Sequence, residues 1–275
     1  MRFFTLPPSE IAYPFVLVNG HHPQFGLRYL RKHHQDVQAV ILDSGIEIFR
    51  DPMIKDYPSG HLQTLVELYY QIKQNVHEVW LVCPDYCDDY HPKNLWLSHE
   101  ITNIERTVLS VIDCLDQFPE VNWLIPIQGW NQNPKSVLRC LTYYEEFGIK
   151  RNYFAVGNLC VERSTSLIIK TIRYVKRILK SEKIHVFGLN LTSAIKLRGS
   201  IYSFDSMAWT RSSKKLGRSC RNKRERIEHF MEWIKRAKII LDEEIWQFLK
   251  IQFDELVNFV WQDVPETQLK ITQFI

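Results

Sequence analysis

Two aspartates in this chain have the setting that breaking a glycosidic bond requires. Asp205 lies in the run Ser203-Phe204-Asp205-Ser206-Met207-Ala208-Trp209-Thr210-Arg211, and Asp43 in Leu42-Asp43-Ser44-Gly45. Each ends an apolar run of strand length. Cleavage of an N- or O-glycosidic bond passes through an oxocarbenium-like transition state. One carboxylate close to the anomeric carbon stabilises or captures that charge, and a second acid handles the proton on the leaving group. Asp43 and Asp205 are the candidate pair. Gly45 allows a tight turn and close approach of a ligand to the backbone.

Asp85, in Cys83-Pro84-Asp85-Tyr86-Cys87, ends a third apolar run. A carboxylate pairs naturally with the ring N–H and exocyclic amine of a guanine-like base. Gln128 offers an amide donor and acceptor, and the backbone at Gly157 complements a base carbonyl. That pattern suits a purine better than a sugar. An aspartate at a strand end is also a common turn former or helix N-cap. Recurrence at several strand ends favours a shared rim over isolated caps.

Residues so far apart meet only if their elements bring the strand ends together. Near-continuous apolar runs occur at 3–6, 14–19, 38–43, 78–83, 122–128, 153–156, 184–187 and 200–204. Such runs suit strands covered on both faces. Helical patterns occupy 62–75, 96–118, 134–147, 165–179 and 193–197. The alternation predicts an α/β fold, a (β/α)8 TIM-type barrel with its chemistry at the carboxyl ends of the strands. A doubly wound open sheet is the rival, but no Gly-x-Gly-x-x-Gly and no Gly-x-x-x-x-Gly-Lys-Ser/Thr follows any of these runs. Two further helices, 225–241 and 243–260, carry aromatics at core spacing and are expected to close the barrel or pack beneath it. One domain over 1–275 is the economical reading, with the barrel in about 1–210 and a basic segment plus C-terminal helices in 211–275.

The 275 residues are 45% hydrophobic, enough to bury a core, and the net charge is only +4. The charge is unevenly distributed. Residues 211–224 hold seven cations and no acid: Arg211, Lys214, Lys215, Arg218, Arg221, Lys223 and Arg224. This block suits a phosphate backbone, the plainer alternative being a solvated loop that leads into a helix. The opening residues lack the apolar core of a secretory signal, and no run approaches the ~20 apolar residues of a membrane span. The six cysteines are scattered, so the expectation is a reducing cytoplasm and no membrane. Cys83 and Cys87 have no second pair at zinc-finger spacing. The adjacent histidines His21-His22 and His33-His34 point apart on a strand or a helix. No metal and no cofactor is expected.

At these residues the chain resembles the guanine transglycosylases, which exchange a guanine in tRNA for a 7-deazaguanine base. The similarity runs in order over about residues 1–215. Asp43-Ser44-Gly45 is similar to the family's Asp-Ser-Gly-Gly-Phe element, and Asp85-Tyr86-Cys87 to its base-reading Asp-x-Cys. Gln128-Gly129 resembles its Gln-Gly element, Gly157-Asn158-Leu159 its Gly-Gly-Leu, and Val186-Phe187-Gly188 the strand before the nucleophile. Phe204-Asp205-Ser206 followed by Trp209-Thr210-Arg211 is similar to its nucleophile element, Phe-Asp-Cys with Pro-Thr-Arg. The chain departs from the family at Ile46, Asn158 and Trp209, where the family has Gly, Gly and Pro. After the nucleophile only Cys220 and His229 stand where the family has a structural zinc site. A compact, zinc-free member looks like the DNA-acting branch, which puts bases such as 7-cyano-7-deazaguanine into DNA.

The resemblance implies a pentosyltransferase with Asp205 as nucleophile and Asp43 as general acid and base. Ser44, Gly45, Asp85, Cys87, Gln128, Gly129, Gly157 and Gly188 would bind the base. The implied partners are DNA, a free 7-deazaguanine and further DNA-modification proteins. Two alternatives stay open. One is a tRNA-guanine transglycosylase. The other is a catalytically silent nucleic-acid-binding barrel that serves a partner.

Overall fold

The computed structural model describes residues 1–51, 53–87, 101–130, 133–160, 164–179, 183–210 and 223–262, with side chains as far as 256. Eight strands form one all-parallel sheet: β1 (Arg2–Phe4), β2 (Phe15–Val18), β3 (Ala39–Leu42), β4 (Glu78–Val82), β5 (Trp123–Ile127), β6 (Tyr153–Val156), β7 (Lys183–Val186) and β8 (Ser203–Asp205). Each of β2 to β7 pairs with the next strand in sequence, and β1 pairs with β8, Phe4 opposite Asp205. A parallel bridge from Thr5 to Val16 joins β1 to β2. The Thr5 N–H donates to the Phe15 carbonyl at 3.2 Å, and the Leu17 N–H to the Thr5 carbonyl at 2.9 Å. The sheet thus closes, and the fold is the (β/α)8 barrel that the alternation of runs predicts.

Helices α1 (Pro23–His33), α2 (His61–Lys73), α3 (Asn103–Gln117), α4 (Val137–Glu146), α5 (Thr165–Leu179), α6 (Leu191–Lys196) and α7 (Lys223–Ala237) follow β2 to β8 in turn. No helix follows β1 among the described residues. Helix α8 (Glu243–Gln262) braces that connection instead: Gln252 accepts from the Ala12 N–H at 2.8 Å and donates to its carbonyl at 3.1 Å. Helix α7 lies on the outside of β1 and β8, where Trp233 stacks on Phe3 at 4.4 Å and Phe3 on Phe204 at 5.0 Å. The expectation that the last helices close the barrel or pack beneath it is therefore corrected for α7, whereas Asp242 and α8 meet Met1 and Ala12, which precede β1 and β2 at the amino ends of the strands. Closure belongs to Thr5, and α7 packs sideways because the outward side chains of β1 and β8 are aromatic.

Other element bounds also differ from the sequence reading for local reasons. Helix α3 begins at Asn103, because Thr102 and Glu105 form a capping box, and residues 96–100 of the expected helix lie outside the described residues. The Glu105 N–H donates to Thr102 Oγ1 at 3.3 Å, and the Thr102 N–H to Glu105 Oε2 at 2.7 Å. Helix α1 is absent from the sequence reading. Gly26 interrupts its apolar pattern, yet a Cβ there would lie 2.8 Å from Val18, so the glycine lets α1 approach β2. Segment 134–147 begins as a 3-10 turn, Pro134–Ser136, before α4.

Candidate active site

The inward faces of the strands are unusually polar for a barrel core. Arg2 on β1 pairs with Glu78 on β4 at 2.6 Å near the amino ends. Above them lie Tyr153, His185 and Ser203, all fully buried or nearly so. At the carboxyl ends come Asp43, Asp85 and Asp205.

Asp205 is the last residue of β8 and is 8% exposed. Its Oδ1 accepts from the Gly188 backbone N–H at 3.1 Å and lies 3.1 Å from His185 Nε2. The descent of the chain after β7 explains the first donor. Gly188 has φ of +60°, which aims its N–H inward, and a Cβ there would collide with Cys160 Sγ. Ser206 then caps the turn Ala208–Thr210 by accepting from the Ala208 N–H at 3.2 Å. Trp209 donates its indole N–H to Thr5 Oγ1 at 2.9 Å. It ties the end of β8 to the closure of the barrel.

Asp43 and Asp85 form the opposite side of the cup. Ser44 bridges them: its hydroxyl donates to Asp85 Oδ1 at 2.7 Å and lies 3.5 Å from Asp43 Oδ1. Gln128 Nε2 donates to Asp85 Oδ2 at 2.5 Å. Tyr57 OH donates to the Asp85 carbonyl at 3.0 Å, and His61 Nε2 meets the Ser44 carbonyl at 2.8 Å. The Tyr57 and His61 rings stack at 4.4 Å. Asp43 does not cap the 3-10 turn Ile46–Arg50; that position belongs to Gly45, at φ of +82°. A Cβ on Gly45 would lie 2.8 Å from the His21 nitrogen.

Electrostatics separates these acids. Burial pushes the Asp43 carboxyl up to about 8, helped by repulsion from Asp85, Asp205 and Glu47. Asp43 is half-buried, with protein packed around its carboxyl. Burial also raises Asp85, but the Ser44 and Gln128 donors hold it to about 6. Burial and repulsion both favour the protonated form of Asp43.

The candidate binding residues divide. Asp43, Ser44, Gly45, Asp85, Gln128, Gly157, Gly188 and Asp205 converge, Gly157 through its close approach to Gln128. Gly129 instead packs under α4, where a Cβ would lie 2.7 Å from Ser136 Oγ. The Cys87 carbonyl accepts from Asn103 Nδ2 at 3.3 Å. Asn158 adopts φ of +58°, a left-handed conformation that favours glycine. Gln128 Oε1 and Asn158 Oδ1 are buried with no hydrogen-bond partner among the described residues. Lys223 pairs with Glu10 at 3.0 Å and Arg224 with Glu228 at 2.9 Å. Arg211, Lys214, Lys215, Arg218, Arg221 and Cys220 lie outside the described residues.

Four residues of the cup escaped the sequence reading: Tyr57, His61, Glu47 and His185. Glu47 accepts from Asn19 Nδ2 at 3.0 Å and from Arg50 at 2.8 Å. The first three follow Asp43 within the loop to α2 or at its start, and that proximity was the available signal. His185 gave a weaker one, a single polar residue inside an apolar run. Among the described residues, no group of three His, Cys, Asp or Glu is arranged to hold a metal ion. None of their helices is long and apolar enough to cross a membrane. No protein-family model and no curated protein matches this chain.

Proposed function

We propose that this protein is a base-exchange transglycosylase that replaces guanine in DNA by a 7-deazaguanine through a covalent aspartyl-glycosyl intermediate. One observation carries the reading. Three aspartates share one cup at the carboxyl end of the barrel, and their surroundings fit them for three different tasks. Asp205, met by two nitrogens at one oxygen, is oriented to attack C1′. Asp43 holds a proton and gives it to the departing guanine. Its carboxylate then takes the N9 proton of the incoming base.

Asp85 and Gln128 read the base edge. The Asp85 carboxylate accepts from Ser44 and Gln128 and has lone pairs left for a ligand, and Gln128 Oε1 has no partner among the described residues. A ligand rich in N–H groups answers both needs, and guanine-like bases present such an edge. The target guanine must leave the stack to reach the cup.

The choice of DNA over tRNA rests on the resemblance and on the basic run 211–224. Lys223 and Arg224 already have acidic partners, so the phosphate contacts fall chiefly to the five cations before them. We assign the protein to the cytoplasm, beside other DNA-modification proteins. The test is trapping. Mixed with guanine-containing duplex DNA, the protein should give a denaturant-stable adduct that mass spectrometry maps to Asp205. Adding a free 7-deazaguanine should discharge it. An adduct with tRNA alone would select the tRNA enzyme, and none with either would select a silent binding barrel.

A further inference from the structure

Beneath Asp205, the barrel interior holds a row of polar groups that the reaction above does not use. His185 on β7 lies opposite Ser203 on β8 in the sheet register. Its Nε2 meets Asp205 Oδ1 at 3.1 Å, and its Nδ1 meets Ser203 Oγ at 2.7 Å. Ser203 Oγ in turn meets the hydroxyl of Tyr153 on β6 at 2.5 Å. Tyr153, His185 and Ser203 are all 1% exposed or less, so water does not substitute for these bonds.

Such a chain can run in one direction only. A carboxylate accepts and never donates, so His185 Nε2 must carry a proton toward Asp205. In neutral imidazole the other nitrogen is then an acceptor, so Ser203 donates to Nδ1. The Ser203 lone pair accepts from the Tyr153 hydroxyl. Burial keeps that phenol protonated, and its hydroxyl has no other hydrogen bond among the described residues. The reverse direction would leave the Tyr153 proton without an acceptor. It would also require either a buried imidazolium or a lone pair facing a carboxylate.

We propose that Tyr153 and Ser203 fix His185 as the Nε2–H tautomer, and that His185 acts as a positioning residue for the nucleophile. Its N–H and the Gly188 N–H both hold Oδ1 of Asp205 and leave Oδ2 to attack. No hydrogen bond reaches Oδ2 among the described residues. This role rests on the base-exchange reading. In the first half-reaction an Oδ2 electron pair forms the bond to C1′. The C1′–N9 pair leaves with guanine, which takes the Asp43 proton. In the second, N9 of the deazaguanine loses its proton to Asp43 and attacks C1′, and the C1′–Oδ2 pair returns to Asp205. Negative charge rebuilds on the carboxyl in this second step. The two donors on Oδ1 therefore assist breakdown of the intermediate more than its formation.

The experiment combines nitrogen NMR of histidine-labelled protein with single-turnover kinetics of the two halves, measured by adduct formation and discharge. The His185 signals are identified by their loss in His185→Phe. In the wild type, His185 should be protonated at Nε2 and bare at Nδ1, and Ser203→Ala should give a mixture of tautomers. His185→Phe should lengthen the life of the adduct by roughly tenfold to a hundredfold, the scale of one charge-assisted hydrogen bond, and slow its formation less. His185→Gln, which keeps an N–H able to reach Asp205, should recover part of the discharge rate. If His185→Phe does not fold, the discharge rate of Ser203→Ala replaces it and should fall in the same sense. A proton on Nδ1 of wild-type His185, alone or with Nε2, overturns the proposal, as does an unchanged adduct lifetime in folded His185→Phe. No adduct in the wild type, with the Nε2–H tautomer present, overturns the reaction and leaves the hydrogen-bond chain standing.

Discussion

The two sides of the cup treat the same residue type in opposite ways. On the β7–β8 side, a backbone N–H and an imidazole are aimed at one oxygen of Asp205. On the β3–β4 side, Asp43 is crowded by Asp85 and Glu47, and the donors that meet its carboxyl are the Ser44 backbone N–H and the Ser44 hydroxyl, the latter at 3.5 Å. One side is built from donors and orients a carboxylate. The other is built from acids and low solvation and stores a proton. The aspartates are chemically identical in the sequence. Their division of labour comes entirely from what the neighbouring strands bring beside them.

The sharpest way to break this contrast is to remove the oriented partner. Asp205→Asn should lower exchange by at least ~10⁴-fold and abolish the adduct, while circular dichroism remains native. An adduct that survives in this variant would transfer the nucleophile to the other side of the cup.

Removing the proton store should cost less. Asp43→Asn should cut exchange by roughly 10²–10⁴. Because Asp43 is pushed up to about 8, wild-type guanine release should decline as pH rises through that value, and the variant should lack this limb. Stability follows the same sign. Between about pH 4 and 8 the folded protein keeps a proton that the unfolded chain has released, so folding weakens as pH rises across that window. Asp43→Asn should therefore raise the melting temperature more at pH 8 than at pH 4. An equal change at both values would mean that Asp43 is not held protonated.

Asp85 should show an intermediate effect. Asp85→Ala strands the Ser44 hydroxyl and the Gln128 amide, and should raise the KM for the free base by about tenfold to a hundredfold. Affinity for DNA should change much less. A loss of DNA binding with unchanged base affinity would move Asp85 out of the base edge.

The smallest effect per residue belongs to the basic run. Replacing Arg211, Lys214, Lys215, Arg218 and Arg221 together should flatten the slope of log affinity against log salt by about 0.9 for each duplex phosphate that the protein no longer neutralises. Free-base binding should persist, and adding Lys223 and Arg224 should change little more, since both have acidic partners. An unchanged slope would make the run a solvated loop.

What the sequence disclosed and what it hid follow from one physical distinction. Asp43, Asp85 and Asp205 were legible because each interrupts an apolar run at its end, where a strand gives way to a turn. The strands themselves were legible because burial on both faces leaves little room for polar residues. His185 was hidden because it sits in the middle of such a run, Ile184-His185-Val186, where one polar residue reads as a tolerated exception. Its meaning appears only when register sets it against Ser203 and, one strand further, Tyr153. Helix α1 was hidden for the reverse reason: Gly26 broke the pattern in order to improve the packing. Periodicity reports which face is buried, and it does not report which buried groups touch.

The seam at Thr5 also fixes when in its life the molecule becomes competent. Thr5 bonds Trp209 across 204 positions of sequence, and Phe4 pairs with Asp205 itself. During synthesis the first strand emerges early and can meet β2 through Thr5, but its other edge has no partner until nearly the whole barrel has followed it. The strand that ends at Asp205 acquires its second neighbour, after β7, in that final pairing. Half-made chains therefore lack Asp205 and part of the burial and charge that raise Asp43, and the cup becomes complete only when the two ends of the sheet meet.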